Sequence, residues 1–144
     1  CKGCSTAKAH RFAVRKKTDK RATWVAERLY VDLSGPMRVT SLGGSSYVMI
    51  IVDDYSRFQA VKVIKKKSDS TPALQSYIAE YMTPKGLKIG AIRTDNGGGF
   101  DGDFYLDEHG INHELTSPDT PQYNDVAERR LGLLWEKIIA LMQD

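Results

Sequence analysis

The fold of this chain is decided by residues 29–64, which read LYVDLSGPMRVTSLGGSSYVMIIVDDYSRFQAVKVI. Residues 29–33 are a short β-rich run, and the Ser-Gly-Pro that follows is a strong breaker of regular structure. Residues 47–52 are continuously apolar, the pattern of a strand that is buried on both faces. Residues 58–64 alternate as a third strand. Three strands joined by turns predict an antiparallel meander.

Helices and further strands are predicted after the meander. The pattern predicts a helix from about Ser70 that ends before Pro84, a strand at 88–94, a short helix within 101–110, a brief strand near 111–115 and a long amphipathic helix from about Asn124. This order predicts an α/β fold in which a mixed sheet is packed by helices.

Length and composition exclude several classes of protein. The 144 residues suit one domain, and the hydrophobic (41%) and charged (27%) fractions are ordinary for a soluble globular protein. The longest apolar run, residues 47–52, is too short to span a bilayer, so no membrane partner is predicted. The chain starts at Cys1 and stops inside an apolar-periodic segment, which indicates a piece of a longer polypeptide.

Positive charge is concentrated at the start of the chain. Residues 1–21 hold eight Lys or Arg and a single acid, Asp19, whereas the remainder is net acidic. This asymmetry predicts a division into a basic arm at 1–22 and a core at 23–144. It also predicts a polyanionic partner for the arm, with a merely solvated tail as the alternative.

The two cysteines form a C-x-x-C pair at Cys1 and Cys4. Two thiolates at this spacing can supply half of a tetrahedral zinc site. Two ligands cannot close such a site. Either the other ligands lie upstream of Cys1, or the pair binds no metal.

Three carboxylates stand out by their position. Asp32 lies in the first short strand just before the breaker, and Asp95 ends an apolar strand at a glycine-rich loop. Glu128 lies near the start of the last helix. Carboxylates so placed can surround magnesium, and two such ions about 4 Å apart promote phosphoryl transfer. Asp53 and Asp54 compete for this role, although their context favours a turn with a local ion pair to Arg57.

Five motifs in register resemble one known family. They are Asp32-Leu33-Ser34-Gly35-Pro36-Met37, Ser41-Leu42-Gly43-Gly44, Val52-Asp53-Asp54-Tyr55-Ser56-Arg57, Thr94-Asp95-Asn96-Gly97-Gly98, and Thr120-Pro121-Gln122 through Asn124 with Val126-Ala127-Glu128-Arg129. Together they resemble the integrase of copia-type long-terminal-repeat retrotransposons, over essentially the whole chain.

The resemblance implies a ribonuclease-H-like fold with a mixed five-stranded sheet flanked by helices. It implies that Asp32, Asp95 and Glu128 hold two magnesium or manganese ions. Water then cleaves the element's DNA ends, and the freed 3′-hydroxyls attack target DNA directly. It also implies that Cys1 and Cys4 complete a zinc finger with two His ligands upstream. A homo-oligomer, a nuclear location and a cytoplasmic virus-like-particle stage follow from the same resemblance.

Four residues are predicted to contact DNA. Lys16 and Lys17 lie in the basic arm, Arg129 follows Glu128, and Asn124 matches a family position that either caps the last helix or contacts DNA.

Several departures from the family pattern predict weaker activity in this copy. The spacer between Asp95 and Glu128 is shorter than usual. Gly99, Tyr123 and Asp125 stand where Glu, Gln and Gly are usual. Two alternative functions stay open: a degenerate or domesticated core that binds nucleic acid without integrating, and a ribonuclease-H-like nuclease that only hydrolyses.

Overall fold

Five strands form one mixed sheet in a computed structural model that describes residues 21–95, 103–115 and 125–143. The strand order is β3-β2-β1-β4-β5. The elements are β1 (Arg28–Ser34), β2 (Tyr47–Asp53), β3 (Gln59–Ile64), α1 (Ser70–Tyr77), β4 (Ala91–Thr94), α2 (Asp103–Glu108), β5 (Asn112–Leu115) and α3 (Asp125–Gln143).

The pairing of the strands confirms the predicted meander and the mixed sheet. Strands β1, β2 and β3 pair antiparallel in sequence order, with Asp32 opposite Ile50 and Ile50 opposite Val61. Strand β4 then pairs parallel to β1, and β5 parallel to β4. A parallel neighbour requires a crossover connection, and α1 lies in the connection that supplies it. As a result, β1 is the central strand and is hydrogen-bonded on both sides.

One face of the sheet is covered by α1 and the turns that follow it. Side chains alternate between the faces of a strand, so every second residue of β1 and β2 points to this side. The apolar core here contains Leu29, Val31, Met49, Ile51, Leu74, Tyr77, Ile78, Met82, Ile92, Leu106 and Ile111.

The other face of the sheet is covered by α3. Tyr30, Ile50 and Val52 form a second cluster there, and they pack against Ala127 and Leu131 of α3. Ala127 is completely buried. The helix is therefore seated on β1 and β2 through its first turns.

Two element boundaries differ from the sequence-based prediction. The helix from Ser70 continues as a π-helical turn at Ile78–Met82 and a 3-10 turn at Thr83–Lys85, and Pro84 in that last turn has no N–H with which to continue α-helical bonding. Strand β4 begins only at Ala91. Gly90 lies so close to Glu27 that an added Cβ would be 2.6 Å from its carbonyl oxygen.

Most of the predicted basic arm lies outside the described residues, including Cys1, Cys4, Lys16 and Lys17. The division at residues 22 and 23 therefore stays a prediction. Among the helices that the structure describes, none is long and apolar enough to cross a membrane.

Candidate functional site

Asp32 lies in the middle of the sheet, near the carboxyl end of β1. Its alternation with Tyr30 places its side chain on the face that α3 covers. The residue is only 9% exposed. The Leu33 N–H donates to Asp32 Oδ1 over 2.9 Å and holds that oxygen in place. The sequence thus puts an acid where an apolar residue would ordinarily pack.

Asp95 follows the last residue of β4 and is exposed. Because β4 runs parallel to β1 with Thr94 opposite Val31, Asp95 and Asp32 are each one step beyond the last matched pair. Strand alternation from the matched pair Tyr30 and Arg93 places both carboxylates on the α3 face. The two acids are therefore neighbours at the carboxyl edge of adjacent parallel strands.

The electrostatics of Asp32 reflect this setting. Burial raises the pKa of the Asp32 carboxyl, and the nearby charge of Asp95 raises it further, whereas the Leu33 N–H opposes the shift. A buried carboxylate beside a second carboxylate is costly unless a cation neutralises the pair. The pair thus suits a divalent cation by its oxygen ligands and by its charge.

Glu128 lies in the first turn of α3, but its side chain is outside the described part of the chain. Its neighbour Ala127 is buried against the cluster of Tyr30, Ile50 and Val52. The backbone of residue 128 is thereby held over the same face as Asp32. Among the side chains that the structure describes, no group of three or more His, Cys, Asp or Glu could hold a metal ion. The third ligand thus stays a prediction.

Asp53 and Asp54 have a structural role at the opposite edge of the sheet. Asp53 pairs with Leu29, at the amino end of β1. Asp54 Oδ1 accepts from Arg57 Nη1 at 3.0 Å, which confirms the predicted ion pair, and Asp54 Oδ2 accepts from the Ala22 N–H at 2.8 Å. Both carboxylates are nearly fully buried and engaged by the chain itself.

The sequence-based prediction missed a charged network beside the candidate site. Arg93 lies opposite Tyr30 and Glu114, with its guanidinium 5.6 Å from the centre of the Tyr30 ring. Glu114 Oε2 accepts from Arg93 Nε at 2.8 Å and from Arg28 Nε at 3.1 Å. The alternation of Arg28, Tyr30 and Asp32 was a signal of one shared face. That Glu114 is the partner of Arg28 and Arg93 became apparent only from the strand order.

Glu114→Gln is expected to lower the free energy of unfolding by about 1–3 kcal/mol at neutral pH, because two partly buried guanidinium groups lose a charged acceptor. Burial alone would raise the pKa of Glu114, but the hydrogen bonds and charges of Arg28 and Arg93 together hold it below 4.5. Its contribution is therefore present above pH 4.5 and is lost as the pH falls through the lowered pKa.

Urea denaturation of both proteins at neutral pH and at about pH 3 checks this expectation. The stability difference between the parent and Glu114→Gln should shrink at the acidic pH. A difference that stays constant with pH would contradict a charged role for Glu114.

The remaining predicted contact residues are placed only in part. Arg129 is exposed on α3, next to Glu128. Asn124 lies outside the described residues, as do Gly99 and Tyr123, and the side chain of Asp125 is not described. DNA contact by Arg129 and Asn124, and the effect of Gly99, Tyr123 and Asp125 on activity, therefore stay predictions.

Comparison with known proteins gives relatives along nearly the whole chain. It is 33% identical over 146 aligned residues, 99% of its length, to the retrovirus-related Pol polyprotein from transposon TNT 1-94 of Nicotiana tabacum. It is 29% identical, over 90% of its length, to the corresponding polyprotein from transposon RE2 of Arabidopsis thaliana. The chain spans only about a tenth of the length of these relatives, 11% and 9%. No protein-family model matches it.

A solved structure shares the fold. A chain in the cryo-EM structure of the simian T-cell lymphotropic virus intasome in complex with PP2A regulatory subunit B56 gamma superposes with a TM-score of 0.69 at 20% identity. The match covers 87% of this chain and 44% of that one. The predicted ribonuclease-H-like fold is thereby confirmed.

Proposed function

Because the homologues of this chain are retrovirus-related Pol polyproteins of plant copia-type transposons, we propose that it is an integrase catalytic core that cuts and joins DNA with divalent metal ions. One observation carries the proposal. Asp32 and Asp95 lie side by side at the carboxyl edge of parallel strands, on the face that α3 covers. The first turn of α3, which includes residue 128, lies over the same face.

The scaffold explains how the carboxylates would be held. Asp32 is fixed because β1 is hydrogen-bonded on both sides, and because the Leu33 N–H restrains its Oδ1. Asp95 is exposed and can meet a substrate that approaches from solvent. Glu128 approaches with α3, whose position is set by buried Ala127. A rigid strand, an accessible strand end and a docked helix would thus each contribute one carboxylate.

Magnesium or manganese ions held by Asp32, Asp95 and Glu128 would supply charge neutralisation at the reacting phosphate and a lowered pKa for an attacking hydroxyl. In the proposed reaction, water first cuts a phosphodiester near the DNA end and leaves a 3′-hydroxyl. That hydroxyl then attacks a phosphodiester of the target, so one P–O bond forms as another breaks. No covalent protein–DNA intermediate is needed.

Other features of the proposal concern the longer protein. Cys1 and Cys4 would bind zinc together with two His ligands upstream. Lys16, Lys17, Asn124 and Arg129 would contact DNA, and the protein would act as a homo-oligomer in the nucleus after a cytoplasmic particle stage.

A joining assay tests the proposal. The folded chain is mixed with magnesium, a labelled duplex that carries the end sequence of its element, and supercoiled plasmid. We expect label to become covalently attached to the plasmid, and EDTA to abolish the attachment. Plasmid nicking without attachment would indicate a nuclease that only hydrolyses. DNA binding with neither product would indicate a core that has lost its chemistry.

A further inference from the structure

Three consecutive lysines follow β3 directly. Lys65, Lys66 and Lys67 are all exposed, and they connect the end of β3 to the turn before α1. Neither the meander nor the carboxylate site explains a run of positive charge at this point. A run of lysines alone is common on solvated surfaces, so its position in the sheet decides what it can do.

The strand directions place this run on the same edge as the carboxylates. Strand β3 is antiparallel to β2, which is antiparallel to β1, so β3 and β1 point the same way. Asp32 is matched through Ile50 to Val61, four residues before Lys65. Two strand spacings across and four residues along give roughly 16 Å between the backbones of Asp32 and Lys65.

The backbone of the run is held firmly, although its side chains face solvent. The Ser46 N–H donates to the Ile64 carbonyl at 3.0 Å, which fixes the start of the run to the end of the β1–β2 loop. The Lys66 N–H donates to Asp69 Oδ2, also at 3.0 Å. The backbone that carries the lysine side chains is therefore already ordered, and it loses little conformational freedom when a ligand binds.

Lys65 and Lys66 differ from the basic side chains of the sheet and its turns in their ion pairing. Arg28 and Arg93 are paired with Glu114, Arg57 with Asp54, and Lys62 with Glu80. Within the described part of the chain, neither Lys65 nor Lys66 has an ion pair with a carboxylate. Lys65 and Lys66 thus lie exposed at the carboxylate edge without a counter-charge in the described part of the chain.

We propose that Lys65, Lys66 and Lys67 bind the phosphate backbone of duplex DNA beside the carboxylate site. The inference rests on the proposed function, because it takes DNA to be the substrate at that edge. A separation of roughly 16 Å along B-form DNA corresponds to about five base pairs from the reacting phosphate. Such contacts position the duplex without reading its sequence.

A double substitution with a matched control tests this proposal. Lys65→Gln combined with Lys66→Gln removes two charges at the carboxylate edge. Lys85→Gln combined with Lys88→Gln removes two exposed charges from the opposite edge, in the connection that leads into the amino end of β4. Affinity for a fluorescent duplex is measured without metal, by anisotropy over a range of salt concentrations, after thermal melting has shown that both variants are folded.

We expect the Lys65→Gln, Lys66→Gln variant to bind DNA more weakly than the parent. The slope of log K against log salt should be smaller by about two units, one for each lost phosphate contact. The control should retain the parental slope. Equal slopes for the first variant and the parent, or equal losses in both variants, would overturn the proposal.

The outcome is separable from that of the proposed function. A lysine effect on binding in a chain that never cuts or joins DNA would leave the lysine surface standing and refute the proposed cutting and joining activity. Magnesium-dependent joining by the parent, with a parental salt slope in the first variant, would support the proposed function and refute the lysine surface.

Discussion

Asp32→Asn is expected to reduce DNA cutting and joining about a thousandfold or more, while it raises the melting temperature of the metal-free protein. The loss follows because a metal ligand contributes several kcal/mol of transition-state charge stabilisation, and about 4 kcal/mol corresponds to a factor of a thousand. Asn keeps the shape of the side chain and an oxygen that can accept from the Leu33 N–H.

The gain in stability has a separate cause. Burial, followed by the charge of Asp95, raises the pKa of Asp32, so its ionised form is less favourable in the folded protein than in the unfolded chain. At neutral pH the charge therefore opposes folding, and Asn removes that cost. A group whose removal stabilises the fold but abolishes activity is typical of a functional site.

Thermal melting with and without magnesium, together with the joining assay, measures both effects. Magnesium at about 100 times its Kd should stabilise the parent by roughly 2.7 kcal/mol and the variant far less. Asp107→Asn, which alters an exposed acid on α2, serves as the control and should change neither quantity. An Asp32→Asn protein that joins DNA at the parental rate would refute the assignment of the carboxylate site.

Asp53→Ala is expected to destabilise the fold by about 3–5 kcal/mol and to lower the melting temperature by roughly 10 °C. Asp53 is 2% exposed. Its Oδ1 accepts from the Ala26 N–H at 2.9 Å, and its Oδ2 accepts from the Ser56 N–H at 2.8 Å and from the Ser56 hydroxyl. Alanine leaves the buried Ala26 N–H without an acceptor, and it removes two further bonds to Ser56, which is exposed.

Chemical denaturation gives the change in stability, and the joining rate per folded molecule gives the effect on chemistry. Asp107→Ala, at an exposed position, is the matched control and should shift stability by less than about 0.5 kcal/mol. We expect the joining rate of folded Asp53→Ala to match that of the parent. An Asp54→Asn protein that melts normally but no longer cuts DNA would instead move the metal site to the end of β2.

The meander could be predicted from the sequence because its signals are local. The breaker at residues 34–36 ends β1, and the apolar run at 47–52 lies in β2, where Met49 to Val52 are buried. The turn at 53–57 followed from its own residues, including the ion pair between Asp54 and Arg57. Each of these features depends on residues a few positions apart.

The order of the strands could not be derived from such local patterns. Nothing in residues 88–94 specifies that β4 lies beside β1 instead of at the edge next to β3. This strand order brings Asp95 to Asp32 and Glu114 to Arg28. Contacts between residues tens of positions apart depend on the whole core, so the candidate site was predicted as residues but not as a geometry.

The bonds that Asp53 and Asp54 make to Ala26 and Ala22 also determine where the preceding chain leaves the core. They fasten the segment before β1 to the β2–β3 turn, at the edge opposite Asp32 and Asp95. The seven residues of β1 separate these two edges by roughly 20 Å. If the segment before residue 21 contacts DNA as proposed, its attachment point therefore lies at the far end of the sheet from Asp32 and Asp95.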